Sequence, residues 1–504
     1  MSRNQSMTVL NPATLNSAEN IDETPIYQIQ QIYELSKSAF DTWKEKSVKE
    51  RLSFIRKLKN VMFDRMDEII EVIANDTGKV KVEAVTADVM PVLDAIAFLE
   101  KTAENSLAAR RVQTPATFWG KKSYIEYMAR GTVLVISPWN YPLQLAMVPV
   151  LNALIAGNSV ILKPSEVTPL VGKYIEHLFM LAEFPKGLVQ VAHGGKDVGA
   201  ALTREKPDYI FFTGSAATGK KIQEEASKAL IPTTLELGGK DPILIFADAN
   251  LDRAAKGAAW GAFTNSGQVC MSSERIYVEQ SIYEEFLEKL QSETLMLKQG
   301  TDLNDDIGSM TYRGQIDVMK EQLEEAIVGG ARLITGSIPR DWDLSQGLFI
   351  PPTIVVDVHQ KMKLVQEETF GPVVTVMPFQ SEEEAIELAN DSIYGLNASV
   401  WSKDLKKAKR VVSKLVTGNA VINDVMISVV NHHLPFGGVK HSGIGKYHGK
   451  QGLRVFCHEK SVFLDRGKKN TEIQWYPYQN KYPKIRSFLK LLFRKKSKKS
   501  SRTS

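Results

Sequence analysis

The sequence predicts an α/β protein built from parallel sheets with covering helices, on three observations. From Thr132 onward, short β-rich runs alternate with helical patterns, which is the grammar of a parallel sheet. A second series of such runs begins near Lys240. With 504 residues and 43% hydrophobic content, the chain can bury more than one core, so two or three domains are expected.

Helices come first. Ile55, Leu58, Met62, Met66, Ile69 and Ile73 recur at steps of three and four and predict one apolar helical stripe. It stops at Asp76-Thr-Gly78, where glycine can take the left-handed conformation that closes a helix. A further helix is expected over 84–103. No charged residue occurs between Arg130 and Lys163, yet Pro138, Asn140, Pro142, Pro149 and Gly157 interrupt that run. Neither strand nor helix within it is long enough to span a bilayer, so it reads as core: a strand at 132–136, a loop, a helix at 143–156 and a strand at 159–162. Strands follow at 187–192, 209–212 and 233–237. The second series places strands near 243–246, 275–278, 353–356, 373–377, 398–401 and 420–423.

Two cysteines without a CxxC pair argue against a disulfide framework or a structural zinc site and suit a reducing compartment. Residues 1–22 lack the apolar stretch of a signal peptide, so nothing indicates secretion. The net charge of +5 is uneven: residues 481–504 hold ten Lys or Arg and no Asp or Glu, leaving −5 for the remainder. No basic patch with interleaved aromatics occurs in the body, so nucleic-acid binding is not suggested.

Chemistry concentrates in a few phrases. Cys270, in Asn265-Ser-Gly-Gln-Val-Cys270, lies 34 residues after Glu236, in Thr234-Leu-Glu236-Leu-Gly-Gly-Lys-Asp241. Together they suggest a thiol nucleophile and a carboxylate base; alone, each would read as an inert thiol and an ordinary glutamate. Gly267 frees the backbone to bend beside the cysteine. The strand at 209–212 runs into Gly214-Ser-Ala-Ala-Thr-Gly219 and then a helix, whose free amides attract phosphate. A generic turn is the alternative. A Walker A loop is disfavoured, because Lys221 stands where Ser or Thr should hold magnesium. Asn140, beside Trp139 and two prolines, reads locally as a turn residue. His432, His433, His441 and His448 lie among glycines without an HExxH helix or cysteine partner, so they read as histidines of a flexible loop and no metal is expected.

In this order, with Ser137-Pro-Trp-Asn140-Tyr-Pro142, Lys163-Pro-Ser-Glu166, Glu367-Glu368-Thr-Phe370-Gly371-Pro372 and Leu434-Pro-Phe436-Gly-Gly438, the phrases resemble the aldehyde dehydrogenase superfamily from about Ile26 to Leu464. The resemblance implies a Rossmann-like cofactor domain, an α/β catalytic domain and a small β oligomerisation arm. The expected division is 1–121 as the N-terminal helical part of the cofactor domain, 122–130 with 453–464 as oligomerisation strands, and 131–239 as the NAD(P)-binding part. The catalytic domain would cover 240–437, a returning loop 438–452 and a basic tail 465–504.

By the same resemblance, Cys270 attacks an aldehyde, Asn140 and the Cys270 backbone N–H form an oxyanion hole, and Glu236 activates the water that hydrolyses the thioester. An acylating relative would use coenzyme A instead, and Glu236 favours hydrolysis. Ser215 is implied near the pyrophosphate, Lys163 and Glu166 around the adenine ribose, and Glu368 and Phe370 at the nicotinamide ribose and ring. Trp139, Gly214, Gly219 and Leu237 complete the implied contacts. Glu166 would repel a 2′-phosphate and favours NAD; Lys163 and Ser165 leave NADP open. Asn431-His-His-Leu-Pro-Phe436 looks most like the fatty-aldehyde branch, whereas the sequence from Gly267 to Arg275 departs from it.

The expected enzyme is thus an NAD(P)-dependent aldehyde dehydrogenase, a homodimer or homotetramer, acting on a long-chain or lipophilic aldehyde of fatty, terpenoid or carotenoid type. A small-semialdehyde dehydrogenase is the nearest alternative, and a catalytically retired membrane-associated scaffold the alternative of another class. Ile485, Phe488, Leu489 and Leu492 fall at i, i+3, i+4 and i+7 among Lys484, Arg486, Lys490, Arg494, Lys495, Lys496, Lys498 and Lys499. That pattern suits an amphipathic helix on an anionic membrane surface, which would make a cytoplasmic enzyme peripheral on the inner face; a disordered basic tail is the alternative.

Overall fold

The computed structural model describes residues 6–500, with side chains to Phe493. Its larger unit comprises the described residues up to Ala108 together with Tyr127–Glu459, and its smaller one Ala109–Glu126 with the described residues from Lys460.

Within the larger unit, a six-stranded sheet runs in the order Gly443–Ile444, Thr233–Glu236, Tyr209–Thr213, Thr132–Ile136, Ser159–Lys163, Val189–Val191. All pairs are parallel except the edge pair formed by Gly443–Ile444. The central strands are apolar and buried on both faces, as parallel strands covered by helices must be. Gln144–Ile155 supplies one cover and is buried except at the half-buried Leu145, which is why the uncharged run carries no polar face.

The strand Thr233–Glu236 passes through Leu237–Lys240 directly into Asp241–Ile245, the entry to a seven-stranded sheet. Its order is Arg332–Leu333, Thr353–Val356, Val373–Phe379, Ser273–Glu279, Asp241–Ile245, Ser399–Trp401, Val421–Ile422, again parallel apart from one edge pair. Because only four residues join the sheets, carboxyl ends of the first strands meet amino ends of the second.

Three local differences from the sequence reading have physical causes. The stripe from Ile55 to Ile73 lies on two helices, Val48–Asp64 and Met66–Thr77, because Arg65 leaves the helical region at φ −115°, ψ 20°. Residue spacing survives a one-residue break, so periodicity does not reveal it. The first helix begins at a Ser47–Glu50 capping box, and the second ends at Gly78 with φ +72°. The helix expected at 84–103 extends from Lys81 to Leu107 through a wide π turn at Ala84–Val89. Near the N-terminus, Ser6–Leu10 and Ser17–Asp22 pair antiparallel; their largely exposed residues carry no apolar alternation.

In the smaller unit, Arg110–Val112 pairs antiparallel with the start of Lys122–Ala129, and Lys121 bonds Asp465 at 2.9 Å and Glu472 at 3.0 Å. Tyr482–Ser500 is helical. Phe488 and Leu489 are exposed on it, whereas Ile485 and Leu492 are half-buried. The side chains of Arg494, Lys495, Lys496, Lys498 and Lys499, and residues 501–504, lie outside the described residues. Among those described, no helix is long and apolar enough to cross a membrane.

Candidate active site

Four strands of the six-stranded sheet end together and deliver the sequence motifs along one edge. Ile136 pairs with Lys163, and Thr213 with Glu236, so Ser137–Asn140, Pro164–Glu166, Gly214–Ser215 and Leu237–Lys240 all leave from carboxyl ends. Such an edge is where open α/β sheets bind ligands. Opposite it, the amino ends of the second sheet present Cys270 and Phe370.

The thiol loop follows the helix Leu251–Phe263. Asn265, Ser266 and Gly267 occupy left-handed backbone at φ +52°, +54° and +69°. For Asn and Ser this is strained, on the order of 1–2 kcal/mol each, so neighbours must hold it. Glu83 does so from the π-bulged helix: its Oε1 accepts from Asn265 N at 2.7 Å and Thr264 Oγ1 at 2.8 Å. Ser266 Oγ donates to the Gly308 carbonyl at 2.8 Å, and Gln268 Oε1 accepts from Thr311 N at 2.7 Å. At Gly267 a Cβ would strike the Gly371 carbonyl, so both φ and space exclude a side chain.

Cys270 is half-buried. Burial pushes its thiol up, and Glu368, Asp241 and Glu236 push it further. Glu236 closes its strand, buried, with neither carboxylate oxygen hydrogen-bonded; burial holds its carboxyl well above the usual range. Both side chains line one cavity of about 600 Å3, with Tyr447, Phe436, Leu145 and Phe263 on its walls. At the mouth, Trp260, Leu303, Ile427 and Val430 are exposed.

Asn140 is buried, and its Nδ2 donates to the Gln268 carbonyl at 2.9 Å, which leaves one amide N–H uncommitted. Its own carbonyl accepts from Lys79 Nζ at 2.8 Å and Asn265 Nδ2 at 3.1 Å. Lys79 forms a fully buried ion pair with Asp88 at 2.8 Å. Asp88 Oδ1 in turn accepts from the amides of Leu143 and Gln144, where the next helix begins. None of Lys79, Glu83 or Asp88 stands out in the sequence, since their partners lie 55 or more positions away or in an unremarkable helix.

Glu368 Oε1 accepts from Gly239 N at 3.0 Å, and burial with the nearby Glu274 pushes its carboxyl up to about 8. A second buried pair, Lys240–Glu274, fixes the neighbouring residues: Glu274 accepts from the amides of Thr369 at 2.8 Å and Phe370 at 3.2 Å. The Phe370 ring meets Trp139 edge-on at 5.3 Å. Thus Glu368, Phe370 and Trp139 come together beside the thiol loop.

Lys163 is buried and bonds Glu166 at 3.0 Å; Ser165 Oγ accepts from Val167 N at 3.2 Å. Two strands away along the same edge, Ser215 caps the helix Ala216–Ser227 by accepting from Thr218 N, and Gly214 N donates to the Glu236 carbonyl at 3.0 Å. A Cβ at Gly219 would lie 2.6 Å from Leu237, so the helix start sits directly on that side chain.

Two of the four histidines, His432 and His448, depart from the flexible loop that the glycines suggest, whereas His433 and His441 are exposed. His432 and His448 are buried with ring centroids 4.4 Å apart, and His433 packs edge-on against Phe98. Tyr447 and Phe436, linked by reciprocal backbone bonds, fix this segment as a wall of the cavity. Among the described residues, no three His, Cys, Asp or Glu side chains cluster for a metal.

Comparison with known proteins gives the same context for the whole arrangement. Residues 1–462 match the aldehyde dehydrogenase family. The chain is 45% identical over 467 residues to a 4,4'-diapolycopene aldehyde oxidase of Methylomonas sp, covering 92% of this chain and 87% of that relative. It is 33% identical over 468 residues to a 4,4'-diaponeurosporen-aldehyde dehydrogenase of Staphylococcus aureus, covering 92% and 99%. The crystal structure of a Mycobacterium tuberculosis aldehyde dehydrogenase complexed with NAD+ superposes with a TM-score of 0.88 at 32% identity, covering 93% of this chain and 96% of that one. With its two sheets, its thiol loop and its facing carboxylate, the chain belongs to the aldehyde dehydrogenase family.

Proposed function

We propose that this aldehyde dehydrogenase oxidises a long, lipophilic aldehyde of terpenoid or carotenoid type to its carboxylic acid, with Cys270 as nucleophile, Glu236 as hydrolytic base and NAD as coenzyme. The observation that carries the reading is that Cys270 and Glu236 open into one cavity with predominantly apolar walls, whose mouth mixes Trp260, Leu303, Ile427 and Val430 with Lys256, Asn304 and Asp306. Such a cavity accepts an extended hydrocarbon at about 25 cal/mol for each Å2 removed from water. The two relatives named for diapolycopene and diaponeurosporene aldehydes support the same substrate class.

The chain's residues fit a dinucleotide. The free amides at the start of Ala216–Ser227, the close Gly219–Leu237 approach and the Ser215 cap suit a pyrophosphate. Lys163 and Glu166 offer a donor and an acceptor for ribose hydroxyls, and the Glu166 charge disfavours a 2′-phosphate, although Lys163 and Ser165 leave NADP usable. Trp139, Phe370 and Glu368 would hold the nicotinamide end. The bound nicotinamide supplies a hydride acceptor.

Cys270 thiolate adds to the aldehyde carbon, and the uncommitted Asn140 N–H with the Cys270 backbone N–H steadies the alkoxide. Loss of hydride from that carbon leaves a thioester on Cys270. Glu236 takes a proton from water, the hydroxide attacks the thioester, and the acid leaves as the thiolate re-forms. The segments 122–130 and 453–464, whose strands are Lys122–Ala129 and Cys457–Leu464 because Gly449–Arg454 is helical, are proposed to join copies into a homodimer or homotetramer, and residues 481–504 to rest on an anionic membrane surface. The deciding experiment is NADH formation across aldehydes from propanal to a C30 polyene dialdehyde. A kcat/KM that does not rise with chain length would overturn the lipophilic assignment, and no turnover with any aldehyde would overturn the activity itself.

A further inference from the structure

We propose that Lys446 is a positioning residue that keeps the Glu236 carboxylate ionised, an inference that rests on Glu236 being the hydrolytic base. A buried carboxylate with two unpartnered oxygens favours its neutral form unless a cation lies close by. Lys446 follows the strand Gly443–Ile444, which pairs antiparallel with the strand of Glu236, Gly443 standing opposite Glu236 itself. Its half-buried ammonium donates to the carbonyls of Gly418, at 3.1 Å, and Gly437, which leaves one of its three N–H groups uncommitted.

Gly437 lies between the two side chains. A Cβ there would stand 2.8 Å from Glu236 Oε1 and 3.0 Å from Lys446 Cδ. The carboxylate and the lysine stem therefore border one small space that the missing side chain keeps open. The other ionisable groups coupled to Glu236 among the described residues are Cys270, Tyr209 and Tyr447, each of which is neutral or becomes negative. Burial of Glu236 opposes the negative charge there, and among the described residues Lys446 is the cation that favours it. A base that must accept a proton from water needs that charge before the thioester is attacked.

The test follows decay of the Cys270 acyl-enzyme by quenched-flow mass spectrometry from pH 6 to 10, using the full chain with NAD+ and propanal. Lys446→Gln keeps donors for the two carbonyls but removes the charge. Its acid limb should move to higher pH by roughly one to three units, the effect of one close opposite charge. Lys446→Arg should keep the wild-type limb, and the NADH burst should persist in both. Should the Gln variant fail to fold, Lys446→Met carries the same expectation. An unmoved limb in the neutral variant, or an equal displacement in Lys446→Arg, would overturn the proposal. Wild-type decay in Glu236→Gln would instead remove Glu236 as the base, a separate failure.

Discussion

Lys79 and Asn140, 61 positions apart, are joined by a 2.8 Å hydrogen bond from the ammonium to the asparagine carbonyl. The same ammonium is paired with Asp88, which holds the amides of Leu143 and Gln144. One buried ion pair therefore fixes both ends of the Asn140 turn, and Asn265 ties that turn to the thiol loop. The helical N-terminal segment, through Lys79 and Glu83, thereby holds the backbone of both the Asn140 turn and the loop that carries Cys270.

Lys79→Met should be strongly destabilising, because it leaves the Asp88 charge buried without a partner. Removing one member of such a pair costs about 3–5 kcal/mol. Urea unfolding should show a lower midpoint with little change in slope. Lys79→Met combined with Asp88→Leu should recover part of the loss, since two apolar groups strand no charge. A single variant within about 1 kcal/mol of wild type would mean that solvent reaches the pair.

Much of the candidate site was legible because its residues sit in contiguous phrases. Gly267 announces a turn beside Cys270, Gly238-Gly239 mark close approaches of Glu368 and the Cys270 carbonyl after Glu236, and the parallel strands announce themselves as short apolar runs. The supports were not legible. Glu83 reaches Asn265 across 182 positions and Lys79 reaches Asn140 across 61, and no local pattern encodes such contacts. Arg65 breaks a helix without disturbing the spacing of apolar residues, and the π turn at Ala84–Val89 alters a period that a 3.6-residue reading assumes. His432 and His448 sit among glycines, yet His448 packs against Phe436 and Tyr447, His432 packs against His448, and both are buried.

Cys270→Ser should abolish aldehyde oxidation while retaining coenzyme binding, measured by quenching of tryptophan fluorescence. In the wild-type protein without coenzyme, burial and three carboxylates raise the thiol, so less thiolate exists at neutral pH than for a free cysteine. Iodoacetamide labelling at Cys270 should still be rising at pH 9.5. Cys457, pushed up to about 12 and buried, should stay unlabelled. A plateau in Cys270 labelling by pH 8 would mean that the thiol is activated without coenzyme.

Glu236→Gln separates acylation from hydrolysis. Glutamine fills the same buried space but cannot take a proton from water, so a burst of NADH should be followed by turnover slowed at least a hundredfold. Mass spectrometry of the quenched enzyme should find the acyl group on Cys270. If the folded variant binds NAD and forms no thioester, the role of Glu236 would have to include activation of the thiol.

The C-terminal helix gives the last expectation. Phe488 and Leu489 are exposed on Tyr482–Ser500, and residues 481–504 carry ten basic side chains without an acidic one. Each cation near an anionic surface contributes about 1 kcal/mol, so several together can hold the protein while the apolar side chains insert shallowly. Truncation after Tyr478 spares Asp465 and Glu472, whose bonds to Lys121 tie down the preceding segment. The shortened chain should lose binding to phosphatidylserine vesicles in flotation assays, and lose activity on long aldehydes presented in them. Its rate on propanal should be unchanged, and 0.5 M NaCl should release the full-length protein, because charge attraction is screened beyond a few Å. Equal flotation with and without residues 479–504 would leave the basic helix with no part in membrane attachment.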